Sequence, residues 1–361
     1  MTRNRPLSIA ALVPSLVTLL LIAGSTPLAA RGATTVSAVS RRPSGWTRIA
    51  ARTEPAARAA HSATFDRTSG NVVLFGGYTA TDYLDDTWVF AGSAWTALHP
   101  AVSPPPRAAA AIAFDAVSGQ VILFGGYDGF VDLGDTWIWD GATATWTEAH
   151  PATLPPAVTG GMGFTDPLNG HATIFGGFDG RFYQSGTWQW SGSDWVQLQP
   201  EHQPSARAAA VLASDPRSST VVLFGGLASV NPANTWLWNG LDWIQVLPDH
   251  QPPNRYDSAG AFDPLQGVLV FGGGSGGAQL ADTWAWTGSD WVELPARSSP
   301  SARESFSLVY DEVGGRVVLF GGQGSHDRLL SDTWTWVDRT GSPTAAFAQK
   351  PAGMLGSELD R

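Results

Sequence analysis

The chain repeats one pattern of short apolar runs and polar breaks six times. In the clearest copy, residues 121–146, an apolar run ends at Gly125-Gly126, a polar loop follows, and a second run carries Trp137 and Trp139 before a turn and a Trp-led third run. Successive double glycines start 49, 51, 49, 47 and 49 residues apart, at Gly76, Gly125, Gly176, Gly225, Gly272 and Gly321. A fixed period near fifty residues is typical of repeat architectures.

Each repeat is interpreted as four short β-strands. The first strand follows a Pro-rich linker, as in residues 107–115, and the second ends in the double glycine. The third is an Asp-x-Trp run and the fourth begins with Trp, while turns such as residues 66–70 are typical of hairpins. Evenly spaced strands with glycine and aromatic punctuation predict an all-β fold, a six-bladed β-propeller of four-stranded blades.

The two ends of the repeat array are incomplete in complementary ways. Trp46 opens a fourth-strand run with no strands before it, and the last repeat passes from Trp336 into a polar tail without a Trp-led strand. We therefore expect the N-terminal strand to complete the sixth blade and close the ring, because an open stack exposes unpaired edges. The propeller is predicted over residues 45–340, after a linker over 31–44 and before a polar, disordered tail over 341–361.

The first thirty residues are typical of a secretory signal peptide. Arg3 and Arg5 precede an apolar run over residues 7–23, and small residues follow. An uncleaved anchor is the alternative, since residues 6–30 carry no charge and are long enough to span a bilayer. Cleavage is favoured because Pro14 interrupts the run. We therefore expect a secreted monomer, free of the membrane, whose fold uses no disulfides because the chain contains 0 Cys.

Composition excludes one class of partner. The formal net charge is -10, and charged residues make up only 14% of the chain. A chain of this charge repels phosphate backbones, so we expect no nucleic-acid binding.

The motifs resemble those of the kelch-repeat propellers in order and spacing. The double glycine after an apolar strand, the Tyr127-Asp128-Gly129 continuation, the Asp-x-Trp strand and the Trp-led strand all match, over roughly residues 46–338. The resemblance implies a propeller similar to the central domain of galactose oxidase. It implies little about function, because this scaffold hosts enzymes and binding proteins alike. The copper-radical oxidases of this fold need a cysteine cross-linked to tyrosine, which this chain lacks.

All 17 tryptophans fall on repeated positions of the third and fourth strands, so we predict that they pack between blades rather than bind sugars.

Five repeats carry an arginine just before the first strand, and the third repeat has Val158 there. The five are Arg58, Arg107, Arg207, Arg255 and Arg303. The kelch resemblance implies contacts with carboxylate ligands at this position, and a guanidinium binds a carboxylate in a bidentate manner. A structural tie is the alternative. The third strand opens with Asp or Asn in the same five repeats and with Gly186 in the third, so this joint loss favours Arg–Asp pairing within a blade.

The third repeat is irregular in its loop as well. Symmetry is broken over residues 178–184, and ordinary drift of an exposed loop is the alternative to a functional role. We predict that the ligand-binding face combines this loop with the neighbouring loops of the second and first repeats, the latter carrying Tyr78 and Tyr83. Its principal residues are Tyr127, Asp128, Phe130, Arg181, Phe182 and Tyr183.

The leading hypothesis is a secreted, non-enzymatic module that binds a protein or glycan through loops at one end of the propeller channel. No cofactor or metal is expected, because the linker histidines are spread around a ring and no catalytic or metal motif occurs. The alternative is an exported enzyme acting on an acidic sugar, similar to the kelch-fold epimerase of N-acetylneuraminate. In that enzyme the channel arginines would hold the carboxylate, and Glu304 is the obvious acid–base candidate.

Overall fold

The computed structural model describes residues 45–337, except 52, 231 and 296–297. The signal peptide, the linker and the tail predicted from sequence lie outside these residues. Within the described chain, no helix has the length and apolar character needed to cross a membrane.

The described chain begins with a strand, β1 (Gly45–Ile49), and continues through six groups of strands. The first blade contains β2 (Ser62–Asp66), β3 (Asn71–Phe75), β4 (Thr87–Ala91) and β5 (Ala94–Leu98). The second contains β6 (Ala111–Asp115), β7 (Gln120–Phe124), β8 (Thr136–Asp140) and β9 (Thr145–Ala149). The third contains β10 (Met162–Thr165), β11 (Ala172–Phe175), β12 (Thr187–Trp190) and β13 (Trp195–Leu198).

The remaining three blades follow the same order. The fourth contains β14 (Val211–Asp215), β15 (Thr220–Phe224), β16 (Thr235–Trp238) and β17 (Trp243–Val246). The fifth contains β18 (Ala259–Asp263), β19 (Gly267–Phe271), a small hairpin of β20 (Gly274–Ser275) and β21 (Ala278–Gln279), then β22 (Thr283–Trp286) and β23 (Trp291–Glu293). The sixth contains β24 (Ser307–Asp311), β25 (Arg316–Phe320), a hairpin of β26 (Gln323–Gly324) and β27 (Arg328–Leu329) around a 3₁₀ turn, and β28 (Thr333–Val337).

These strands form six antiparallel four-stranded sheets arranged as a propeller. The first strand of every blade has one hydrogen-bonded neighbour within its own sheet and packs beside the first strands of both adjacent blades, so the six inner strands form a ring. The predicted all-β, six-bladed propeller is confirmed. β1 pairs with β28, with Trp46 opposite Trp336, at the outer edge of the sixth blade. That the N-terminal strand closes the ring, and that the stability of the fold depends on it, stays a prediction.

The fourth-strand tryptophans connect successive blades. Each donates its indole Nε1–H to the threonine that opens the third strand of the preceding blade, at 2.9–3.0 Å. The pairs are Trp46–Thr283, Trp95–Thr333, Trp146–Thr87, Trp195–Thr136, Trp243–Thr187 and Trp291–Thr235. All six rings are buried, which agrees with the packing role predicted for tryptophan.

Six peptide groups form a hydrogen-bonded ring, the girdle, where the linkers enter the inner strands. Each N–H donates to the carbonyl oxygen of the equivalent residue in the preceding blade, at 2.7–2.9 Å. The members are Ala60, Ala109, Gly160, Ala209, Asp257 and Ser305. All six have a positive φ, between 48° and 63°, which non-glycine residues adopt infrequently. The girdle places these six residues, Gly160 and five with short side chains, around the axis, at the end of the channel that carries the double-glycine loops.

Candidate functional site

Four of the predicted channel arginines are bound to an aspartate of their own blade. Arg107 donates from Nη1 and Nη2 to the Asp135 carboxylate at 2.6 and 2.7 Å, from Nε to the Pro105 carbonyl at 3.0 Å and from Nη1 to the Gly125 carbonyl at 3.1 Å. The indole Nε1–H of Trp137 donates to the same carboxylate at 2.7 Å. Burial opposes ionisation of Asp135, but the hydrogen bonds and charge of Arg107 outweigh it and lower the pKa of the carboxyl.

The same tie recurs around the ring. Its other pairs are Arg58–Asp86, Arg255–Asp282 and Arg303–Asp332, with Arg207–Asn234 as the neutral variant. The hypothesis of pairing within a blade is therefore confirmed. The five arginines are only 0–1% exposed. The enzyme alternative requires a guanidinium free to take a carboxylate from solvent, and none of these five offers one.

The fourth blade carries the tie in a weaker form. Arg207 donates to Asn234 Oδ1 at 3.0 Å, and no carboxylate stands there to balance its charge. Burial lowers the pKa of Arg207 to about 10. The indole Nε1–H of Trp236, whose counterparts donate to the aspartate in four other blades, is buried without a hydrogen-bond partner.

The third blade lacks both partners and contains a cavity in their place. Val158 is buried in the apolar core, and Gly186 has no side chain; a Cβ there would lie 2.8 Å from the indole nitrogen of Trp188. The cavity has a volume of about 260 Å³ and is lined by Pro156, Val158, Gly176, Gly186 and Trp188, together with the side chains of four glutamines. The four are Gln184, Gln197, Gln199 and Gln203.

The structure separates the predicted loop residues into two groups. Tyr127 lies edge-on to Tyr83, with 5.9 Å between ring centroids, and Tyr83 lies 6.3 Å from Tyr78, so the three rings form a row. Tyr183 packs 5.1 Å from Phe178 in the third blade.

The second group consists of exposed tips of the same loops. Asp128 accepts two backbone N–H bonds that fold its own loop, which leaves Phe130 85% exposed. Arg181 stacks 4.9 Å from the ring centroid of Phe182. The ligand-binding role of all six residues stays a prediction.

Sequence reasoning missed a set of polar side chains at the girdle. At the girdle position and the one before it, three repeats have Ala-Ala, but the fifth has Tyr256-Asp257 and the sixth has Glu304-Ser305. This departure is visible in the sequence once the repeats are aligned. Gly274 faces these residues, because a Cβ at that position would collide with the side chains of both Tyr256 and Glu304.

We define the channel mouth as the cluster formed by Tyr78, Tyr183, Tyr256, Asp257 and Glu304, of which Tyr183, Tyr256 and Asp257 are partly exposed and the other two are buried. Tyr78 is 7% exposed and donates its hydroxyl to Gln323 Oε1 at 2.6 Å, and Gln323 in turn donates to Asp327 at 2.8 Å. Glu304 is 6% exposed, and this burial raises the pKa of its carboxyl. A hydrogen bond from Gln279 lowers the pKa but does not cancel the effect of burial. The mouth therefore combines aromatic rings with carboxylates in partly dry surroundings.

The charges that raise the pKa values of the mouth tyrosines are negative. Burial raises the pKa of Tyr78, and the negative charges of Asp257 and Glu304 raise it further. Burial also raises the pKa of Tyr183, with a smaller contribution from Asp257. In the adjacent loops, burial and the neighbouring Asp179 and Asp128 raise the pKa of Asp132 to about 6. This field disfavours an anionic ligand.

One group of side chains in the described chain has the spacing of a metal site. Ligand atoms of Glu201, His202 and Asp242 lie within 4.8 Å of one another. His202 Nδ1 lies 2.8 Å from Asp242, and His250 and Asp290 repeat this contact one blade further on at 2.8 Å. Because both pairs join a linker to a turn, we interpret them as structural ties.

Comparison with known proteins agrees with the architecture. The solved structure of YjhT matches with a TM-score of 0.62 and 16% sequence identity, over 78% of this chain and 95% of that chain, which indicates a common fold. No curated protein matches closely enough to count as a relative. The family model for the KLHDC2/KLHL20/DRC7 Kelch-repeats domain matches residues 19–226, more than half of the chain. Together with the six blades and their double glycines, this match shows that the chain belongs to the kelch-repeat domain family.

Proposed function

We propose that the protein is a secreted, non-enzymatic binding module that recognises its ligand at the channel mouth and the adjoining double-glycine loops. The observation that carries the proposal is the replacement of Ala-Ala by Tyr256-Asp257 and Glu304-Ser305 in two neighbouring blades. A structural role explains the residues that all blades share. These two departures instead concentrate polar and aromatic groups on one side of an otherwise small-residue ring, where a ligand lacking sixfold symmetry can be held.

The chemistry of the mouth favours a neutral glycan as the ligand. Carboxylates accept hydrogen bonds from sugar hydroxyls, and the tyrosine rings offer apolar faces with a polar edge. An acidic sugar is disfavoured, because the arginines that would bind its carboxylate are buried in ties and the nearby charges are negative. For the same reason, the acidic-sugar enzyme is not the function that we propose.

A glycan array probed with the purified protein and two variants tests this proposal. The mouth variant carries Tyr256→Ala, Asp257→Ala, Glu304→Ala and Ser305→Ala, which restores the Ala-Ala of three other repeats and is expected to fold. The control variant carries Leu265→Ala and Val313→Ala, which shorten exposed side chains on turns between the first and second strands, at the opposite end of the inner strands.

We expect neutral glycans to bind the wild type and the control variant, with at least a tenfold loss in the mouth variant. Undiminished binding by the mouth variant would show that the ligand sits elsewhere. Binding confined to acidic glycans would contradict the proposed chemistry. If no glycan on the array binds and the protein captures another protein instead, the ligand is a protein and the glycan proposal is wrong. Export is tested separately, by N-terminal sequencing of protein from the culture medium, which should begin near residue 31.

A further inference from the structure

Five blades provide a template for the cavity of the third blade. In each of them the arginine guanidinium is held by the carbonyl oxygen two residues before it, by the carbonyl of the first glycine of the pair, and by the Asp or Asn that directly precedes the third strand. The corresponding groups in the third blade are the carbonyls of Pro156 and Gly176 and position 186. Val158 has no donor to offer them.

The backbone of the third blade keeps the geometry of the template. Gly176 N–H donates to the Gly186 carbonyl at 3.1 Å, as Gly125 N–H donates to Asp135 at 3.2 Å. Val158 N–H donates to Leu133 at 3.0 Å, the same distance as in the equivalent bond of Arg107. The main chain of the third blade therefore keeps the register of the other blades around a cavity of about 260 Å³.

The fourth blade shows that a guanidinium is accommodated here without a carboxylate. Arg207 is bound by the Ser205 and Gly225 carbonyls, by Ser205 Oγ and by the neutral Asn234 side chain. In the third blade, Gln184 and Gln197 line the cavity. The Gln197 amide nitrogen, a donor, lies 3.6 Å from the site of a Cβ at position 186, so the amide must turn its oxygen towards a guanidinium in order to accept from it.

The cavity is accessible from outside. Gln197, Gln199 and Gln203 are exposed at its edge, whereas Val158 forms its buried wall. We propose that this cavity binds the guanidinium group of an external ligand, such as an arginine side chain, in the place that an internal arginine takes in the other five blades. The planar guanidinium presents several N–H donors at fixed angles, which suits the carbonyl groups of Pro156 and Gly176. A compact ammonium group cannot reach both carbonyls with the same geometry.

Titration with methylguanidinium, followed by NMR of the tryptophan indole N–H groups, tests this proposal independently of the channel mouth. Trp188→Phe identifies the resonance that reports on the cavity. Two further variants supply side chains found in other blades. Gly186→Asp adds the missing carboxylate, for which the Trp188 indole must shift, because a Cβ at position 186 would lie 2.8 Å from its nitrogen. Val158→Arg with Gly186→Asp adds the whole pair and fills the site. Melting curves establish that each variant is folded.

We expect saturable binding to the wild type that shifts the Trp188 resonance, with affinity at least tenfold tighter in Gly186→Asp and at least tenfold weaker for methylammonium. The double variant should lose the shift. An absent shift in the wild type, equal affinity for the two cations, or no gain in Gly186→Asp would each overturn the proposal. If the double variant does not fold, the comparison of wild type with Gly186→Asp still decides. Because the mouth variant leaves this cavity intact, failure of one proposal is distinguishable from failure of the other.

Discussion

The substitution Asn234→Asp is expected to stabilise the protein. It converts the neutral tie of the fourth blade into the ion pair found in four others, in which the carboxylate receives both the guanidinium and the indole N–H. At present Arg207 faces an amide and the Nε1–H of Trp236 is buried without a partner. One atom change therefore supplies a charge to the arginine and an acceptor to the tryptophan.

The magnitude follows from these two contacts. A buried donor left unpaired costs about 1–3 kcal/mol, and a hydrogen bond to a charged group contributes about 1.5–3 kcal/mol. Partial burial of the new carboxylate offsets part of this gain; the equivalent Asp135 side chain is 26% exposed and is ionised against a buried arginine. We expect a net gain of about 2 kcal/mol, or ~4 °C in Tm for a domain of this size.

Urea unfolding and thermal melting at pH 7 measure the effect. Asp135→Asn in the second blade is the matched inverse, since it creates there the neutral tie of the fourth blade and should lose about 2 kcal/mol. If Asn234→Asp leaves Tm unchanged or lowers it while Asp135→Asn is neutral, the ties are not the stabilising contacts described here.

Two further predictions concern the seam between the first and last blades. Burial, assisted by the charge of Arg58, lowers the pKa of His61 from 6.5 to about 3. Between these two pH values the unfolded chain binds a proton that the folded chain does not bind. The free energy of unfolding is therefore highest above pH 6.5 and decreases as the pH is lowered. Between pH 7 and pH 5 the free energy of unfolding should decrease by about 2 kcal/mol because of His61. The variant His61→Phe, which copies Phe306 of the last repeat, should lack this part of the pH dependence in urea unfolding. The same pH dependence in wild type and variant would refute the assignment to His61. Deletion of residues 45–50 removes the partner of β28 and the buried Trp46, a ring whose loss alone costs about 3–5 kcal/mol, so the protein should melt far lower or aggregate. An unchanged Tm would show that the ring does not need its N-terminal strand.

The scaffold could be predicted from the sequence because the chain contains six versions of itself. The six repeats can be aligned with one another within the single chain. In that alignment the positions of Trp46 and Trp336 indicate the strand order, and the joint absence of arginine and aspartate in the third repeat indicates their contact. These are local or periodic signals, and the packing between blades follows from alternation along strands.

The candidate site was harder to predict because it depends on backbone conformation. Nothing in an Ala-Ala pair signals a positive φ, so the girdle that brings Asp257 to the axis is invisible until the chain is folded. For the arginines the sequence left two roles open, a channel-facing one and a tie within the blade. The structure shows the tie, because four aspartates and Asn234 hold the arginines inside the blades at 0–1% exposure. Only the folded chain shows which polar groups are already engaged.

The central claim is that the departures from the repeat at the channel mouth bind the ligand. Hydrogen–deuterium exchange of the protein, alone and saturated with the neutral glycan that binds best on the array, tests it most directly. The account predicts slowed exchange in residues 78–84, 178–184, 256–258 and 304–306, with the turns at 66–70 and 263–267 unchanged. Protection confined to those turns, with no change around Asp257 and Glu304, would contradict it.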